Sequence, residues 1–135
     1  PIGLAERRRS GNDATIIAYG AMVPEAVQAA DALSREGMEC DVIDLRTVSP
    51  FDREAVASSV RRTGRLAIVH EARRSFSVGS EIAAFASEEC FWDLDVPPLR
   101  ITAPDTPVPH SPPLEDRYRP AAARIVDEVR KLVRT

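Results

Sequence analysis

Apolar and polar positions fall in blocks along this chain, and the block lengths separate strands from helices. Thr15-Ile16-Ile17-Ala18-Tyr19 is a short β-branched run stopped by Gly20. Such a run predicts a strand covered on both faces of a parallel sheet. From Val23 the apolar residues recur at Ala26, Val27, Ala30 and Leu33, a spacing of three and four that lines one face of a helix. Gly37 is placed to close that helix in a left-handed turn. Cys40 to Leu45 then reads as a second strand, parallel to the first because the crossover is long enough, and a right-handed βαβ unit is predicted.

The same alternation continues. Ser49-Pro50-Phe51-Asp52 is a turn with Asp52 as N-cap of a helix over Arg53 to about Thr63, whose inner face holds Val56, Val60 and neighbouring alanines. Gly64 closes it, and Arg65 to His70 is the third apolar strand. A helix from about Gly79 to Phe91 is expected to bury Ile82, Ala83, Ala86 and Cys90. Pro97-Pro98 forces an extended approach to a last strand, Leu99 to Ala103. Pro104 to Pro113 holds five prolines in ten residues, which predicts a rigid surface loop. Pro120 suits a first helical position, and Ile125, Val126, Val129, Leu132 and Val133 line a closing helix, with an Asp127–Lys131 pair on its surface.

Strands alternating with helices predict a three-layer α/β/α sandwich: four parallel strands, with an antiparallel edge strand near Gly3 to Arg9. Residues 1–11 are expected to be linker and edge strand, and residues 12–135 one domain. The three arginines Arg7 to Arg9 fit an edge strand protected by charge better than a nucleic-acid arm.

Composition narrows the picture. The chain has 135 residues, 44% hydrophobic and 29% charged, which is globular and large enough for one core. A net charge of −3, spread evenly, gives no basic face for nucleic acid. No apolar run approaches membrane-spanning length, so a cytoplasmic protein without membrane contact is expected. Cys40 and Cys90 read as buried free thiols. The opening Pro1, with no initiator methionine, suggests a piece of a longer polypeptide.

Candidate chemistry lies where ligands favour such sheets, at the carboxyl ends of the strands. Gly20, His70 and Glu71 fall on that rim. A histidine beside a carboxylate can serve acid/base chemistry, yet neighbours on a strand point to opposite faces, and a structural His70 bonded to a carbonyl is favoured. Dinucleotide, triphosphate and nucleophile-elbow patterns do not occur. His70, His110, Cys40 and Cys90 do not fall at metal-ligand spacing, so no metal site is expected. Glu88, Glu89, Asp93 and Asp95 surround Phe91-Trp92. Two readings stay open: a solvated helix end with Trp92 half buried, or an acidic platform with an aromatic centre for a basic partner.

Four segments, TIIAYGAMV, MECDVIDLRTVSPFD, SVRRTGRLAIVHEA and LRITAPDTPVP, together resemble the carboxyl-terminal domain of the β subunit of thiamine diphosphate-dependent 2-oxo acid dehydrogenases of the pyruvate and branched-chain type. Transketolase and deoxyxylulose phosphate synthase are similar more loosely. The resemblance implies a five-stranded mixed sheet, with no cofactor in this domain. Thiamine diphosphate and magnesium would lie elsewhere in the parent enzyme. It also implies contacts with an α subunit and a second β subunit, and docking of the peripheral subunit-binding domain of the dihydrolipoyl acyltransferase through Asp95, helped by Asp93. Family members carry adjacent glycines after the histidine-glutamate pair, whereas here Arg73-Arg74-Ser75-Phe76-Ser77-Val78-Gly79 keeps one. The rival readings are a free-standing protein-binding module and a small α/β enzyme with its ligand in the Gly20 and His70 crevice.

Overall fold

A computed structural model describes residues 2–105 and 121–135. In chain order these are β1 (Glu6–Arg9), β2 (Ala14–Ala18), α1 (Met22–Ser34), β3 (Cys40–Asp44), α2 (Arg53–Thr63), β4 (Leu66–Arg73), α3 (Val78–Glu89), a 3-10 turn (Phe91–Asp93), β5 (Leu99–Ala103) and α4 (Ala122–Arg134). One five-stranded sheet runs in the order β1-β3-β2-β4-β5. The four strands β2 to β5 are parallel and β1 is antiparallel to β3, as expected from the alternation. Most of the proline-rich stretch, with His110 and Pro120, lies outside the described residues.

Alternate residues of the strands feed two cores. Ile16, Val42, Ala67, Val69 and Ile101 pack with α1 and α4, while Ile17, Ile43, Leu66 and Ile68 pack with α2 and α3. Full burial of each large aliphatic side chain contributes roughly 1.5–3 kcal/mol, which is why period-two runs settle the register. Edge strand β1 is blunted by a register shift between Arg7 and Arg9 and by ion pairs from Arg9 to Asp31 at 3.1 Å and Glu39 at 3.4 Å.

Helix ends follow the local chemistry. Beyond α1, Met38 N–H reaches Leu33 O at 3.0 Å and Gly37 N–H reaches Ser34 O at 3.0 Å, with Gly37 at φ 85. That closes the helix three residues earlier than Gly37 itself. Asp52 accepts from Ala55 N–H at 3.0 Å and caps α2, which Gly64 terminates at φ 73.

Some expectations need correction. Val27, Val126, Val133 and Ala83 are only partly buried, whereas Met22, Ala29 and Phe85 join the core. Phe85 sits edge-on to Phe51 at 5.5 Å, filling space that small neighbours on α3 leave. The third helix stops at Glu89, so Phe91 is outside it and exposed. Asp127 pairs with Arg130 at 3.0 Å, not with Lys131, because Arg130 also makes a two-pronged bond to Glu36 at 2.7 and 2.8 Å. Both cysteines are free and buried, and burial pushes the Cys40 thiol up to about 12.

Candidate functional site

The chain moves from β2 to β3 on one side and then returns past β2 to β4, so the strand order reverses between β2 and β4. Ala18 pairs with Val69 there, which carries Tyr19 and His70 onto the same carboxyl-end rim. Gly20 follows at φ 61 with open space where a side chain would start. The Tyr19 and His70 rings lie 6.1 Å apart, and burial, then the charge of Glu71, pushes the Tyr19 hydroxyl up. Gly20, His70 and Glu71 therefore belong to one region, with His70 inside and Glu71 only partly covered.

His70 is fully buried. Its Nδ1 lies 3.0 Å from Ala72 O and its Nε2 3.2 Å from Ser77 Oγ. A carbonyl only accepts, so the hydrogen-bond network assigns the ring proton to Nδ1 and leaves Nε2 to accept from the Ser77 hydroxyl. Ser77 is also the N-cap of α3, accepting from Ser80 N–H at 3.4 Å. A Cβ on Gly79 would overlap the imidazole at Nε2, so the glycine at that position is what lets α3 close over His70. Burial holds the His70 pKa below its usual value. Buried and bonded at both nitrogens, the imidazole orients the cap of α3.

The loop beyond β4 is held from several sides. Asp105 accepts from Ser75 N–H at 2.9 Å and from the Ser75 hydroxyl, which lowers the carboxyl pKa. Arg74 Nη1 donates to Arg100 O at 3.2 Å and Arg100 Nη1 donates to Arg74 O at 2.8 Å. On this loop Phe76 adopts φ 52 and is fully exposed. A left-handed non-glycine residue costs about 1–2 kcal/mol, and the full exposure returns nothing through burial.

Asp93 and Asp95 lie at the opposite, amino-end rim. Asp95 N–H donates to Gly64 O at 2.8 Å, and a Cβ at Gly64 would collide with the Asp95 carboxylate. The end of α2 thus fixes Asp95. Asp93 is 3.9 Å from Arg61. Trp92 is 93% exposed, so the expectation of a half-buried tryptophan fails: the 3-10 turn carries the indole away from α3 and against Phe91, edge-on at 5.0 Å. Between these rings and Pro97-Pro98 opens a groove of about 430 Å³, lined also by Leu94, Asp95 and Val96.

Between the sheet and α2 lies a group the sequence reading missed. Asp41, on β3, is fully buried. It accepts from Ser59 Oγ at 2.5 Å and pairs with Arg62 at 2.7 Å, while Arg7 Nε lies 2.9 Å from Oδ1 as an ion pair without hydrogen-bond alignment. Thr15 links Ser59 at 2.6 Å and Thr63 at 2.7 Å. A charged residue inside an apolar strand, downstream of an arginine run, was the available signal.

Sheet order, switch-point rim and capped helices define a doubly wound α/β/α domain. The chain belongs to the family described as the transketolase C-terminal domain, which matches residues 3–125. It is 44% identical over 133 residues to the β subunit of an acetoin:2,6-dichlorophenolindophenol oxidoreductase from Bacillus subtilis, covering 98% of this chain and 39% of that protein. It is equally 44% identical, over 129 residues, to the pyruvate dehydrogenase E1 component β subunit of Leifsonia xyli, covering 96% and 38%. A solved split-gene transketolase, described as an inactive β4 tetramer, superposes with a TM-score of 0.86 at 30% identity, covering 99% of this chain and 43% of that one. The chain spans about two-fifths of the length of the curated relatives it matches.

Proposed function

We propose that this chain is the carboxyl-terminal domain of the β subunit of a cytoplasmic 2-oxo acid dehydrogenase first component, holding subunits in register and docking the dihydrolipoyl acyltransferase. The observation that carries the reading is the similarity to dehydrogenase-type β subunits across nearly the whole chain. Equal identity to an acetoin and a pyruvate enzyme agrees with substrate choice residing in the rest of the parent. The free thiols of Cys40 and Cys90 suit a reducing compartment. Similarity to the split-gene transketolase favours a second reading, a transketolase-type subunit with the same assembling role.

Thiamine diphosphate and magnesium belong to the parent enzyme in this reading. Among the described residues no three His, Cys, Asp or Glu side chains gather at one point. What this domain supplies is binding. Asp95, with Asp93, would meet a lysine or arginine of the acyltransferase's peripheral subunit-binding domain, while Trp92 and Phe91 offer apolar contact beside it.

The test is a calorimetric titration of the complete α/β heterotetramer with that partner domain at low and high salt. Asp95→Asn is expected to weaken binding about five- to tenfold at low salt, with a smaller difference at high salt as screening removes the charge contribution. Equal affinity of both proteins at both salt concentrations would sink the assignment.

A further inference from the structure

The groove at the amino-end rim is walled by rings on both sides. Trp92 and Phe91 stand edge-on to each other at 5.0 Å and 82°, and Pro97 and Pro98 close the opposite side. Its floor is anchored in both cores, Leu94 on the α2 and α3 side of the sheet and Val96 on the α1 and α4 side. The backbone between the walls is equally fixed. Asp93 N–H donates to Cys90 O at 2.9 Å, Leu94 N–H to Phe91 O at 3.3 Å and Asp95 N–H to Gly64 O at 2.8 Å. A ligand therefore meets a preformed surface and orders little of it on binding.

These same bonds decide which ligand backbone fits. A partner strand needs free main-chain donors along the edge it joins, but the amides of residues 93–95 are engaged within the turn and Pro97-Pro98 have none. A helix brings carbonyls that are already bonded inside itself. What the groove offers is aromatic surface and the indole N–H of the exposed Trp92, which makes no hydrogen bond among the described residues. A polyproline II segment matches both. It has no internal hydrogen bonds, so its carbonyls are free for an indole donor, and its preformed shape lets its rings lie against aromatic walls at little entropic cost. Charge adds one more element. Glu88, Glu89, Asp93 and Asp95 surround the groove; Asp93 pairs with Arg61 at 3.9 Å, whereas the exposed Asp95 carboxylate forms no ion pair among the described residues. A lysine or arginine beside the prolines complements it.

We propose that the groove binds a proline-rich segment of a partner protein in the polyproline II conformation, its proline rings against Trp92 and Phe91 and an adjoining basic residue at Asp95. This rests on the reading of the groove as a docking site and names the kind of segment it takes.

The experiment titrates the complete α/β heterotetramer by calorimetry with a blocked peptide of six prolines followed by one arginine. The difference in tryptophan emission between wild type and Trp92→Phe isolates the indole in the assembly. Saturable binding is expected, with a shift of the Trp92 emission. Trp92→Ala weakens it at least about tenfold and leaves the melting temperature level, because the indole is outside the core. Asp95→Asn weakens it several-fold at low salt and less at high salt, and has no effect on the same peptide without its arginine. Absence of saturable binding overturns the proposal. So does equal affinity for a peptide with alanines in place of the prolines, for an amphipathic helical peptide of the same charge, or for the Trp92→Ala protein. The two readings fail separately. If the peptide does not bind while Asp95→Asn still weakens the acyltransferase domain, the docking site stands and the polyproline ligand falls. If the peptide binds as described while the acyltransferase domain is indifferent to Asp95→Asn, the ligand class stands and the acyltransferase is not its source.

Discussion

The two faces of the sheet are built on different principles. Against α1 and α4 the strands present an apolar layer of Ile16, Val42, Ala67, Val69 and Ile101. Against α2 and α3 the apolar layer of Ile17, Ile43, Leu66 and Ile68 is interrupted by polar groups, among them the Thr15–Asp41–Ser59 network below α2 and His70 below the start of α3. Apolar contact is non-directional and tolerates small sliding, whereas a buried hydrogen-bonded group accepts one arrangement. The polar inclusions accordingly sit under the two helices that position the exposed loops. His70 receives the cap of α3, which follows Phe76, and α2 ends on Gly64, which seats Asp95. The face whose helices position the exposed aromatic loops is the face that is pinned.

The largest test of this contrast is to strand the Asp41 carboxylate. Changing Arg7→Met together with Arg62→Met keeps most of the aliphatic stems and removes both cations from a carboxylate that has no solvent contact. Urea denaturation should show a loss of about 3–5 kcal/mol, the usual cost of leaving a buried charge without its partners. A loss below about 1 kcal/mol would mean that Ser59 alone satisfies Asp41. The apolar face should respond by volume instead. Ile125→Ala, at a fully buried position of α4, should cost about 2–4 kcal/mol through transfer and cavity terms, while Ile125→Val should cost about 1 kcal/mol. If the valine variant were as damaging as the alanine one, that face would be held by shape rather than by buried area.

These two faces were unequally legible in the sequence. Runs such as TIIAY and RLAIVH show their burial directly, and Asp52 and Gly64 mark the ends of α2 through chemistry local to the chain. The Asp41 network could not be read the same way, because Arg7, Thr15, Ser59 and Arg62 approach it from distant positions that only the strand order brings together. Trp92 misled for a related reason. Aromatic residues after an apolar helix are usually core, and only the geometry of the 3-10 turn shows the indole leaving it. At the carboxyl rim, the pairing of Gly20 with His70 followed from topology, but the Ser77 cap and the clearance at Gly79 required the helix in place. Phe76 was visible only as a departure from the glycines of the resembled family; its left-handed backbone and full exposure came with the structure.

The smallest expected effect distinguishes the second polar inclusion from the first. His70 is buried in its neutral form, and its pKa lies below the ordinary histidine value, chiefly because burial disfavours the imidazolium, with the charge of Arg100 acting in the same direction. In the unfolded chain the ring titrates near 6.5. Above that pH both states are neutral at this residue and its contribution to stability is complete. As pH falls through 6.5 toward the folded-state value, the unfolded chain takes up the proton first, so stability declines, with a slope of at most about 1.4 kcal/mol per pH unit from one site. Melting curves between pH 7.5 and 5.5 should show this decline, and His70→Gln should flatten it because an amide does not titrate. Protonation also removes the Nε2 lone pair that accepts from Ser77, so the loss should appear first as faster amide exchange at the start of α3 and leave α1 and α4 unaffected. Uniform acceleration across both faces would show that the imidazole couples to the whole core, and the division between a pinned and an unpinned face would fail.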